Sequence, residues 1–349
     1  MKKIIFLLFC VSLFASCIKD VSNIDEEPAA EAPDVTHFLT TEEFTVPVKE
    51  GYVTQVMVGG EIIAEAVTPM TILLPRTVQT KAESGPQLVY VPLNEYPNNV
   101  EPVNNFKLYQ VVCFEDSREG DYDYNDLVIH VLYKLRGNKF GFAVQPVALG
   151  STKSIKLGCS VYKGNTLIYK NLVTPEGKDC REQYFKSQAG FINTQGKEAN
   201  QQMEHYFLAS SIRNWDISKI AADGPMRVEW YIEVDHGAQL YALSTDHINQ
   251  SFDKNGIPYG LVITHTGHMY EDRGELCGFD WFNYPSESHS IADVYPGLWE
   301  WMTSPDRSYN FFKDVYNGNI VAEGAFPASD LGLFVSDDAD VFLGKYQQN

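Results

Sequence analysis

The 349-residue sequence has little positive charge, few cysteines and no long apolar run outside its first residues. Lys and Arg total 27 against 46 Asp and Glu, giving a formal charge of −19 at pH 7. A chain this acidic repels phosphate backbones, which sets nucleic-acid binding aside and suits a soluble exported protein or a cation binder. Beyond Phe14 nothing approaches the ~20 apolar residues of a membrane-spanning helix. Cys113, Cys159, Cys180 and Cys277 are the cysteines of the body, and none lies in a CxxC or other metal-type spacing. Export would permit disulfides, and the sequence does not choose between pairing and free buried thiols. Glycine-rich phosphate loops and repeats of solenoid or propeller period are both missing.

The N-terminus carries the clearest address. Lys2 and Lys3 precede an apolar stretch from Ile4 to Phe14, and Ala15-Ser16 lead into Cys17. This is the layout of a signal peptide, too short in its apolar part for a mature span. Phe14-Ala15-Ser16-Cys17 resembles the lipobox of bacterial lipoproteins, with Phe14 where Leu or Val is more usual. The resemblance implies removal of residues 1–16 and acylation of Cys17. Residues 17–36, with Asp25-Glu26-Glu27, Pro28 and Pro33, read as a flexible acidic tether. The expected place is the bacterial envelope: lipid-anchored to the outer membrane and facing outward, with the membrane as first partner.

Downstream of the tether the pattern is β. Glycine (25) and proline (17) are plentiful and aromatics make up 13% of the chain, which suits short strands joined by turns. Phe44–Val48, Tyr52–Val58, Glu61–Ala64, Thr71–Pro75 and Leu88–Pro92 read as strands, with Gly59-Gly60 as a tight turn. They predict a small antiparallel β unit over 37–105. Further strands are expected at Lys107–Phe114, Leu127–Tyr133, Phe140–Val147, Ser154–Tyr162, Leu167–Val173, Met226–Val234 and Tyr259–Thr264. Thr174–Ser210 is polar and reads as a loop insertion with a short helix near 201–208, and Pro296–Met302 as a second short helix. The expected fold is mainly β: the N-terminal unit, then a larger sandwich or jelly roll over 106–349 with loop insertions.

The segment with most chemistry runs from Phe114 to Val128. Glu115, Asp116, Asp121, Asp123, Asn125 and Asp126 put six oxygen ligands into a dozen residues. Calcium takes six to eight hard oxygen ligands in flexible geometry, and alternate residues of a turning loop can aim at one point. Asp121-x-Asp123-x-Asn125 has the opening spacing of an EF-hand loop. Asp126 then stands where glycine is needed and Leu132 where the bidentate Glu belongs, so this is not an EF-hand. The alternative is an acidic solvated turn. Density favours the cation: Arg118 alone cannot neutralise the carboxylates around it. Magnesium, which keeps several waters, fits less well.

Phe114-Glu115-Asp116 followed by Gly120-Asp121-Tyr122-Asp123-Tyr124-Asn125-Asp126-Leu127-Val128 looks like the signature of the LruC domain family of bacterial exported proteins. A second block resembles that family's C-terminal stretch: Ile257-Pro258-Tyr259-Gly260, Trp281, Tyr284-Pro285-Ser286-Glu287, Ile291-Ala292-Asp293 and Val294-Tyr295-Pro296 before Trp299 and Trp301. Val294 departs from the family pattern, as does the region 174–227. The resemblance implies a β-rich domain whose acidic motif holds calcium structurally. It supplies no biochemical activity of its own.

Other candidates are weaker. His265 and His268 sit three apart in a glycine-bearing loop, unlike the four-residue spacing of helical zinc pairs. Ser286–Ser290 lacks the glycine pattern of a nucleophile elbow. Trp281, Trp299 and Trp301 offer sugar-stacking faces, although large aromatics more often fill cores. Glu287 is a further candidate metal ligand from far along the chain. The expected function is a non-enzymatic, calcium-stabilised envelope protein that binds a glycan or protein. The alternative class is a glycan hydrolase with a carboxylate pair outside the acidic loop.

Overall fold

Among the described residues, strand patterning is realised as three antiparallel sheets. The computed structural model describes residues 41–58, 61–75, 86–97, 101–117, 120–195, 215–242, 249, 251–265, 282–303 and 321–328. The signal segment, Cys17 and the tether lie outside the described residues. So do Gly59-Gly60, Arg118, the helix expected near 201–208, His268, Cys277 and Trp281.

The smallest sheet pairs β1 (Thr41–Val46) with β4 (Met70–Pro75). The largest has the order β5 (Gln87–Pro92), β2 (Tyr52–Val58), β3 (Glu61–Ala66), β6 (Asn105–Phe114), β7 (Leu127–Arg136), β8 (Lys139–Ala148) and the short β11 (Trp215–Asp216). An eighth strand, β14 (Gly260–His265), pairs with β6 beyond the reach of β3. The third sheet runs β10 (Thr166–Leu172), β9 (Ile155–Lys163), β12 (Met226–Val234), β13 (Gln239–Tyr241).

Alternation on β12 explains the layering. Val228, Trp230 and Ile232 point inward with their β9 neighbours Val161, Cys159 and Leu157. Trp230 meets the large sheet directly: its ring packs edge-on to Phe142 at 5.3 Å, and Nε1 donates to the Tyr133 hydroxyl at 2.6 Å. The four-stranded sheet therefore lies over β7–β8 as a sandwich. β7 and β8 are buried at nearly every position, because their other face is covered as well. Phe282, Tyr284, Tyr295, Leu298, Met302 and Phe326 belong to the same apolar core. They come from the segment carrying α2 (Ile291–Val294) and α3 (Pro296–Thr303) and from residues 321–328.

The expected boundary at 105/106 falls inside β6, and Ala64 and Glu65 of β3 pair with Phe106 and Asn105. β2, β3 and β5 thus extend the same sheet that carries the acidic loop, and the described residues fall in one compact unit. A few strands alone would be marginal; joining the larger sheet buries their core face. The expected loop insertion contains a helix, α1 (Cys180–Tyr184), capped by Asp179, whose carboxylate accepts from the Glu182 N–H. Cys113, Cys159 and Cys180 are buried free thiols. Among the described residues no helix is long and apolar enough to cross a membrane.

Candidate metal centre

The loop 115–126 joins β6 to β7, so both its ends are fixed by a ten-residue ladder. Its interior is built on two tyrosines in left-handed backbone, Tyr122 at φ 57° and Tyr124 at φ 53°. That conformation costs a bulky residue about 1 kcal/mol or more and persists only where surrounding contacts hold it. Here they do. Tyr124 is fully buried and its hydroxyl donates to the Pro258 carbonyl at 2.7 Å. Tyr122 donates to Asp253 Oδ2 at 2.5 Å and packs its ring against Trp299 at 5.4 Å.

These anchors turn the acidic side chains in different directions. Glu115, Asp121 and Asp123 converge, each offering one oxygen within 4.8 Å of the others. Oxygens sharing a calcium ion at about 2.4 Å cannot be more than about 5 Å apart, so the spacing suits a single ion. Glu115 is 2% exposed; its Oε1 accepts the Tyr124 N–H at 2.7 Å, while its buried Oε2 has no hydrogen-bond partner among the described residues. Gly120 passes directly over that oxygen, and a Cβ there would stand 2.0 Å from it. Asp123, also 2% exposed, accepts from the N–H groups of Asn125 at 3.2 Å and Ser288 at 3.3 Å. Asp121 is exposed and closes the group from the solvent side.

The other three expected ligands are placed differently. Asp116 turns away: it accepts from Ser151 Oγ and pairs with Lys153 Nζ at 2.6 Å. Asp126 Oδ2 accepts the Asp116 N–H at 2.7 Å, tying the two ends of the loop together. Asn125 is buried and donates through Nδ2 to the Pro285 carbonyl at 3.1 Å, and its Oδ1 has no hydrogen-bond partner among the described residues. Gly150 crosses above Asn125, with its N–H donating to the Asn125 carbonyl at 2.9 Å.

Burial drives the electrostatics. It holds the Glu115 carboxyl well above its ordinary value, with Asp126, Asp123 and Asp121 adding to the rise. Asp123 is pushed up to about 8, chiefly by burial and then by Asp121. Asp126 rises to about 7 by burial and the neighbouring Asp116. Glu287 is raised too, by burial and then by Asp121, and it acts in turn on Asp123. This glutamate, from far downstream, therefore sits within electrostatic reach of the converging group.

The second sequence block meets the first here. The Ile291 N–H donates to the Tyr122 carbonyl at 2.7 Å, alongside the Ser288 and Pro285 contacts. The pairing of the two motif blocks is the signal in the sequence that links them. Lys153 and Ser151 carry no such signal, since they lie on the connection after β8. Trp299 is half-buried against Tyr122, and the Trp301 side chain lies outside the described residues.

No protein-family model matches the chain, and no curated protein matches it. The LruC resemblance thus rests on the two motif blocks alone. Among solved structures, the chain is similar to a Bacteroides ovatus protein described as a lipoprotein. The match has 10% sequence identity over 80% of this chain and 92% of that chain, with a TM-score of 0.30. An overlap that low supports no argument about fold or activity.

Proposed function

We propose that this chain is a lipid-anchored envelope protein without catalytic activity, whose β body is braced by calcium at the β6–β7 loop and binds a glycan or protein ligand. The observation that carries the metal reading is the buried, unpartnered Glu115 Oε2, converging with Asp121 and Asp123 under Gly120. A buried carboxylate oxygen with no donor is costly unless a cation meets it. Glu115, Asp121 and Asp123 would hold the ion. The set is all oxygen, which favours a hard cation over zinc or copper. The anchor reading is carried by Ser16-Cys17 at the end of the signal-like segment. Binding is supported by the edge strand β5 at the end of the large sheet, where Val89 and Tyr90 are exposed, with exposed Leu93 just after it.

Thermal unfolding with calcium and with chelator tests the metal. At a calcium concentration a hundred times Kd the stabilisation is about 2.7 kcal/mol, a midpoint rise of about 4 °C for a chain this long. An unchanged midpoint, together with a neutral Asp123→Ala, would sink the reading. Intact mass of the envelope-extracted protein should show an acylated Cys17, lost in Cys17→Ser.

A further inference from the structure

The acidic loop is embraced by a segment that arrives from far along the chain, and the contacts between them fall on the loop's own chemistry. The Ser288 N–H donates to Asp123 Oδ2, Asn125 Nδ2 donates to the Pro285 carbonyl, and the Ile291 N–H donates to the Tyr122 carbonyl. Ser288 takes left-handed backbone, φ 66°, to present that N–H. Glu287 lies between these contacts. Its backbone N–H is fixed to the Thr194 carbonyl at 2.7 Å, and its carboxylate is 3.4 Å from Thr194 Oγ1. So held, it adds a fourth acidic group that acts on Asp123 and feels Asp121.

Without a cation, Glu287 opposes the docking that its neighbours make. With a divalent ion among Glu115, Asp121 and Asp123, the same charge becomes attractive. We propose that the ion is a clasp: with Glu287 as an outer-shell carboxylate beyond the converging three, calcium locks the segment 284–299, with α2 and the start of α3, onto the β6–β7 loop. This rests on the calcium reading above. It goes further in giving Glu287 of the second block an outer-shell role and in making the metal control a tertiary contact rather than a turn. The readout extends to Trp299, since its packing partner Tyr122 belongs to the loop.

Hydrogen–deuterium exchange of the full protein, calcium-saturated against EGTA-treated, tests the clasp. Calcium should slow exchange in peptides from 115–126 and from 284–299 together, and leave β9 and β12 unchanged. Glu287→Gln should still bind calcium, with affinity reduced by roughly 10–100-fold, and should lose the calcium-dependent protection over 284–299. Protection confined to 115–126, or a Glu287→Gln protein indistinguishable from wild type, would overturn the clasp while leaving the calcium site standing. Absence of any calcium binding by calorimetry would overturn both.

Discussion

Removing one hydrogen bond between the two layers tests how the sandwich is held. Trp230 Nε1 donates to the Tyr133 hydroxyl at 2.6 Å, with Trp230 1% and Tyr133 5% exposed. Tyr133→Phe leaves a buried indole N–H without a partner, a loss of about 2 kcal/mol. Trp230→Phe strands the Tyr133 hydroxyl and also opens space beside Phe142, for about 3–4 kcal/mol in total. The double variant has no stranded polar atom and keeps only the packing defect. It should therefore be less destabilised than the sum of the two singles by the two stranding costs together, about 3–4 kcal/mol. Urea unfolding in saturating calcium, followed by tryptophan fluorescence and circular dichroism, gives the four midpoints and slopes. Additivity within a few tenths of a kcal/mol would refute the claim that this bond joins the layers.

Two further perturbations probe the interior and the loop. Burial pushes the Cys159 and Cys180 thiols up to about 12 and raises Cys113 further, so none forms thiolate near neutrality. A thiol reagent at pH 8 should leave these three unmodified in native protein, by peptide mapping, and label all three in denaturant; native labelling of Cys113 would contradict its burial. Gly120→Ala places a methyl group against Glu115 Oε2. It should weaken calcium binding at least about tenfold by calorimetry, by analogy with lost metal-site support, and unchanged affinity would place the ion elsewhere.

Much of this architecture is legible in the residues. The alternation of Val228, Trp230 and Ile232 is enough to give β12 its inward face. The density of carboxylates between Phe114 and Leu127 marks the loop. Direction is not legible. Asp116 and Asp123 look alike in sequence, yet one is drawn to Lys153 and Ser151 on the β8–β9 connection and the other inward beneath Ser288. These partners are remote in sequence, beyond any local spacing rule. The split at 105/106 follows a real cluster of Pro and Asn, but backbone pairing between β3 and β6 crosses it. Local composition marks bends, whereas sheet membership is decided by which strand edge finds a partner. The helix α1 leaves no trace in the pattern because five residues show too little periodicity to read.

The left-handed tyrosines have a consequence for transplanting this loop. An EF-hand travels between proteins because its own helices hold its ligands in place. Here the holding is done by receptors scattered through the chain: Pro258 for Tyr124, Asp253 and Trp299 for Tyr122. Residues 115–126 grafted onto another hairpin would keep every carboxylate and lose the scaffold that bends them inward. The two tyrosines would then relax towards ordinary extended backbone and scatter the acidic groups. Calcium recognition in this protein would thus be a property of the folded body, inseparable from it, and the motif its visible trace.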